Sequence, residues 1–174
     1  MSKSALAVYL NDHRAGAEAG VQLANKLRAQ HEGTPHERFF IDLASDIEAD
    51  RDTLDSIIAR LDVEKDHWKQ AVGWVAEKVS WVKLNEHVTG SPELTQFLEA
   101  ETLTLGITGK RALWRALRSA VDLLPALSAS ELDILIIRAE TQFAGLEQRR
   151  LDLASVVWTA TSSGNSSAEN QNGC

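Results

Sequence analysis

Cysteine is nearly absent from this chain of 174 residues; the single one is Cys174, at the end. One thiol permits no intrachain disulfide and no cysteine-based metal site, so a reducing, cytoplasmic setting is expected. Basic charge is in short supply as well. Against 25 Asp and Glu stand 18 Lys and Arg, a formal net charge of −7, the wrong sign for a general nucleic-acid binder. No apolar run approaches the ~20 residues needed to span a bilayer. The opening "MSKSALAVYLNDHRAG" lacks a signal peptide's continuous apolar region, because Asn11, Asp12, His13 and Arg14 break it. Neither membrane nor nucleic acid is therefore an expected partner. No segment alternates in the manner of a strand, and the expected class is all-α.

Proline occurs only three times, and each copy marks a helix boundary. In "GTPHERFF", Thr34 can cap, Pro35 suits the first helical position and Glu37 completes a capping box. Ser91 and Pro92 repeat the arrangement in "SPELTQF", and Ser128 with Glu131 forms a third start in "LSASEL". Pro125 closes the helix before it, and Gly33 ends the first one. Four long helices result, over about 4–31, 35–62, 92–120 and 129–158. The first carries Leu6, Leu10, His13, Ala17, Gly20, Ala24 and Leu27 on one stripe, in steps of four and three. The second aligns Leu43, Ile47, Asp50 or Arg51, Leu54 and Ile57. On the third the stripe is Leu94, Leu98, Glu101, Leu105, Thr108 and Ala112; on the fourth it includes Leu132, Leu135 or Ile136, Ala139, Phe143, Leu146, Arg150 and Val157. A polar residue interrupts each stripe near its middle. One domain over 1–158 is expected, with the Ser/Asn/Gly-rich 159–174 as a disordered tail.

Short turns join the first two helices and the last two into antiparallel hairpins. The segment between the hairpins is too long for a turn, and within it Val72, Val75, Val79 and Val82 make a helical stripe. A helix there rises ~25–30 Å, enough to return the chain along the bundle and leave the second and third helices parallel. Trp68, Trp74 and Trp81 make this crossover apolar around much of its circumference. It can pack on its own bundle, or form a homodimer interface anchored by Trp74 and Trp81, which share one face.

Four helices, one long helical crossover and mid-helix acids resemble the ferritin-like superfamily of four-helix bundles. That family takes one Glu from each of two helices and Glu-x-x-His from each of the other two, to hold two metal ions. The corresponding positions here are Glu18, Glu48-x-x-Arg51, Glu101 and Glu147-x-x-Arg150. The resemblance implies that these six share one site, at similar depth in the bundle. Arginine stands where both histidines would be. A guanidinium has only donors and a fixed charge, so it cannot ligate iron or manganese. The resemblance therefore implies a vestigial metal site in which Arg51 and Arg150 neutralise the acids.

Other readings stay open. Glu-x-x-Arg is also a common surface pair on helices, worth only a few tenths of a kcal/mol. His13 reads as a satisfied core histidine, and Asp50 and Glu140 as further core or near-core acids, Glu140 a possible partner of Arg51. "GITGKRALW" fails as a phosphate loop on spacing and on the missing strand; Gly106 and Gly109 suit close helix packing instead. The basic run Lys110, Arg111, Arg115 and Arg118 suits the end of a helix dipole. Two functions follow. One is a non-catalytic, metal-free structural or binding bundle without cofactor. The other is a ferritin-like metal-binding protein or oxidase using iron or manganese at a carboxylate-rich site drawn from His13, Asp50, Glu101 and Glu140.

Overall fold

The computed structural model describes residues 3–63 and 91–169, with side chains between 5 and 159. They form four helices: α1 Lys3–Gln30, α2 Glu37–Arg60, α3 Pro92–Ser119 and α4 Ala129–Glu169. A single 3₁₀ turn, Val121–Leu123, precedes Pro125, and no strand occurs among the described residues. α4 stays helical to Glu169, past the expected end at 158. The crossover with Trp74 and Trp81 lies outside the described residues.

The helix starts follow local chemistry, with two departures from expectation. Ser91 caps α3 as expected, its Oγ accepting from the Leu94 amide at 3.3 Å with Pro92 next in line. At α2 the box is shifted by one residue. Thr34 Oγ1 accepts from the His36 amide at 3.2 Å, and Glu37 reaches back to the Gly33 amide at 3.2 Å. Gly33 sits at φ 71°, the left-handed conformation that glycine adopts without strain. At α4 no capping box forms: Ser128 Oγ bonds Ser130 Oγ, and the Glu131 carboxylate accepts instead from Arg60 across the bundle at 2.8 and 3.0 Å.

α1 packs on α2, α3 on α4, and α1 on α3. Side chains close the ring between α2 and α4, where Arg60 meets Glu131 and Asp50 meets Arg138. Each of these neighbouring pairs is antiparallel. In the first hairpin Arg14 pairs with Asp55 and Glu18 with Arg51; in the second Arg118 pairs with Asp133 and Glu101 with Arg150. α2 and α3 run in the same direction, because residues 40–47 share a core cluster with 100–107, and 54–58 with 113–117.

The core is two clusters stacked along the axis. One gathers Leu10, Leu54, Ile57, Trp114 and Leu132; the other gathers Leu27, Phe40, Ile47, Leu103 and Leu146. Full burial of each such side chain contributes about 1.5–3 kcal/mol. The stripes expected for α2 and α4 match the buried sides. On α3 the expected stripe is the wrong one. Leu105 is 67% exposed, and the buried face is Phe97, Ala100, Leu103, Ile107, Trp114 and Leu117. α3 has two apolar faces, and the one with the aromatic volume fills the core. Gly106 and Gly109 lie off that face. A Cβ at either would meet no atom within 4 Å, so among the described residues they serve no close packing.

Candidate functional site: a buried ion layer

Between the two clusters lies a polar layer. It arises where the buried stripe of three helices places a polar residue at one step. On α2 the stripe runs Ile47, Asp50, Leu54; on α3, Ile107, Lys110, Trp114; on α4, Ala139, Gln142, Leu146. Asp50 is 2% exposed. Its Oδ2 accepts from Lys110 Nζ at 2.5 Å and from Gln142 Nε2 at 3.1 Å, and its Oδ1 accepts from the Arg138 guanidinium. Lys110 also donates to Gln142 Oε1 at 2.6 Å. Both carboxylate oxygens and both ends of the Gln142 amide are thus engaged, which a buried polar group requires.

The charges of the layer meet at Asp50. Among the described acids Asp50 alone bonds the two cations, Asp46 adds its charge near Lys110, and Arg138 keeps 30% of its side chain in solvent. Burial holds the Lys110 ammonium below its ordinary pKa; the charge and hydrogen bond of Asp50 oppose that, and Arg138 adds to it. The layer is a donor-rich cradle around a carboxylate, not a set of free lone pairs.

A second buried acid lies nearer the other end. Glu99 on α3 is 0% exposed, with Lys26 Nζ 2.8 Å from Oε1 and Gln30 Nε2 donating to Oε2 at 2.9 Å. Beyond it the buried His31 donates from Nδ1 to the Leu27 carbonyl at 2.8 Å and stacks on Phe40, centroids 3.9 Å apart.

The six residues matched to the carboxylate motif fall into two trios. Arg51 reaches Glu18 at 3.3 Å and Glu48 at 3.4 Å, and also Asp52 at 2.8 Å. Arg150 reaches Glu147 at 2.7 Å and Glu101 at 3.0 Å. Each trio bridges one hairpin, α1–α2 or α3–α4, and in each the Arg is 19% exposed. Their acids are open to solvent, Glu18 and Glu101 each at 45%. The trios sit at different levels. Asp50, beside Arg51, meets Arg138 and Gln142, whereas Arg149, beside Arg150, stacks over Phe39 at 3.8 Å. From Phe39 to Arg51 the rise along α2 is about 18 Å. Hydrogen bonding to Asp52 raises the Arg51 pKa first, and to Glu147 that of Arg150; the same bond lowers Glu147.

Of the remaining candidates, His13 is half-buried, edge-on to Tyr9 at 4.7 Å, with its pKa lowered by burial against the opposing charge of Asp12. Glu140 is 42% exposed and pairs with Arg115 at 2.7 Å, not with Arg51. Lys110, Arg138, Gln142 and Glu99 were missed as site residues. The signal for Lys110 and Gln142 was present: both fall between apolar residues at helical spacing. Among the described residues no group of three or more His, Cys, Asp or Glu side chains is placed to share a metal ion. Nor is any described helix long and apolar enough to cross a membrane. Family models, curated proteins and solved structures were all compared with the chain, and none matches. The fold and site together define an all-α helical bundle with a polar mid-section.

Proposed function

We propose that this protein is a non-catalytic, metal-free bundle of ferritin-like connectivity, a structural or binding scaffold whose mid-bundle position holds ions supplied by its own side chains. One observation carries the reading: the buried Asp50 carboxylate is engaged by Lys110, Arg138 and Gln142. Two cations at that place do the neutralising work that metal ions do among crowded carboxylates. The parallel course of α2 and α3 supports the connectivity, because residues 64–90 then join opposite ends of the bundle. The solvent-open trios, in which an Arg ties the acids to one another, support the metal-free part. A cytoplasmic setting accompanies this reading.

Elemental analysis tests it. Protein expressed in iron- and manganese-replete medium and purified without chelator should hold far less than one transition metal per chain. Two tightly held ions per chain with ferroxidase activity would establish the ferritin-like oxidase instead.

A further inference from the structure

The polar layer brings together an amine, a primary amide and a carboxylate, three groups that can react with one another. Lys110 Nζ lies 2.6 Å from Gln142 Oε1. A carbonyl bond adds at most about 1.2 Å, so the amine is within about 3.8 Å of the Gln142 amide carbon. Reacting atoms in a productive pose stand about 3–3.5 Å apart, a small adjustment away. Asp50 Oδ2 bridges the pair, accepting from Lys110 Nζ at 2.5 Å and from Gln142 Nε2 at 3.1 Å. One carboxylate oxygen thus touches both the nitrogen that would attack and the nitrogen that would leave. Little water reaches them: Asp50 is 2% exposed and Gln142 4%, with an apolar cluster on either side.

The second buried acid offers a contrast. Glu99 meets Lys26 on Oε1 and Gln30 on Oε2, so its two donors use different oxygens. The Gln30 carbonyl oxygen accepts no hydrogen bond among the described residues, and Lys26 keeps 38% of its side chain in solvent. Of the two trios, that of Asp50 aims its amine at an amide carbonyl.

We infer that Lys110 and Gln142 join in an isopeptide bond between α3 and α4, formed once per chain after folding, with Asp50 as proton carrier. The Nζ lone pair attacks the Gln142 amide carbon; the Nζ–Cδ bond forms and the Cδ–Nε2 bond breaks. Two protons pass in turn through Asp50 Oδ2 from Nζ to Nε2. Lys110 begins as an ammonium, so the departing nitrogen leaves as ammonium, and no oxidant or further reactant is needed. Burial, which holds the Lys110 ammonium below its ordinary pKa, favours the free amine that attacks; the charge of Asp50 opposes it. Arg138 holds Asp50 Oδ1, so the carboxylate stays paired once Lys110 has lost its charge. The event is single and intramolecular. It adds a covalent tie to the scaffold and does not depend on whether a metal is bound.

Mass spectrometry of the denatured full chain tests this, on fresh protein and after prolonged warm incubation. The aged parent should be lighter than its sequence by one ammonia, and its protease digest should contain a branched peptide joining Lys110 to Gln142. Lys110→Arg, which keeps the charge without a nucleophilic amine, should keep its full mass. Asp50→Asn should slow closure at least about a hundredfold, as loss of a general base does, with its helical circular dichroism kept. Should either variant fail to fold, the parent's digest decides alone. Full mass in a folded, aged parent overturns the inference. So does ammonia lost elsewhere, at Asn172 before Gly173 or between Lys26 and Gln30, and so does an Asp50→Asn variant that closes as fast as the parent.

Discussion

The buried layer and the two surface trios use the same chemistry, carboxylate against guanidinium or ammonium, in opposite surroundings. Asp50 has lost almost all its water and holds its place through three donors from two other helices. Glu18, Glu48, Glu101 and Glu147 keep 29–56% of their side chains in solvent. A water-screened pair contributes little, because its attraction is weak and two long side chains must be ordered to make it. A desolvated pair is different in kind. Its net contribution against an apolar alternative is small, but breaking it is costly, since the stranded partner cannot recover its hydration. The layer therefore defines how the helices register, and the trios decorate the hairpins.

The largest expected effect is at Asp50. Asp50→Ala leaves Lys110 and Arg138 without their acid and should cost about 3–5 kcal/mol in urea unfolding. The next experiment converts the layer into core. Asp50→Leu with Lys110→Met and Gln142→Leu would fuse the two apolar clusters, while Arg138 turns its head to solvent. That triple variant should lie within about 1–2 kcal/mol of the parent, far above Asp50→Ala. A smaller change belongs to the trios. Arg150→Ala, which also loses the contact of its guanidinium with Phe97 at 5.6 Å, should cost about 1 kcal/mol, and Arg51→Ala less. A loss at Arg150 as large as that at Asp50 would erase the distinction.

The smallest effect is at His13 and depends on pH. Burial places its folded pKa below the ordinary 6.5, with Asp12 opposing. The unfolded chain then binds more protons in that range, so stability falls as pH drops through about 6.5. His13→Gln should show a flatter profile between about pH 5 and 7.5. An unchanged slope would mean that His13 is solvated.

How much of this was legible in the sequence depended on how many apolar faces a helix offered. α2 has one, and Asp50 at its middle stood out among Leu43, Ile47, Leu54 and Ile57. α3 has two. Leu94, Leu98 and Leu105 make a regular stripe, and Phe97, Ile107 and Trp114 another. Spacing alone does not rank them; the volume of the aromatics does, through the space they fill at the bundle axis. Choosing the leucine stripe brought Glu101 inward and left Glu99 out, whereas Glu99 is the fully buried acid. Lys110 was lost for the same reason, read as a helix-end cation because its stripe was thought to face solvent. The register of the trios was beyond reach. Folding a hairpin about its turn brings Glu18 opposite residues close to Glu48 and Glu101 opposite about 147, but how far one hairpin slides along the other is set by side-chain contacts such as Asp50 with Arg138 and Gln142, and Phe39 with Gly145 and Arg149.

The most direct test of that contrast is a pair of double-mutant cycles, Asp50 with Lys110 and Glu101 with Arg150, each residue replaced by Ala singly and together. Coupling isolates the pairwise energy from everything else each substitution removes. The buried pair should couple by about 2 kcal/mol or more and the hairpin pair by about 0.5 or less. Equal coupling energies, or a stronger one between Glu101 and Arg150, would contradict the account.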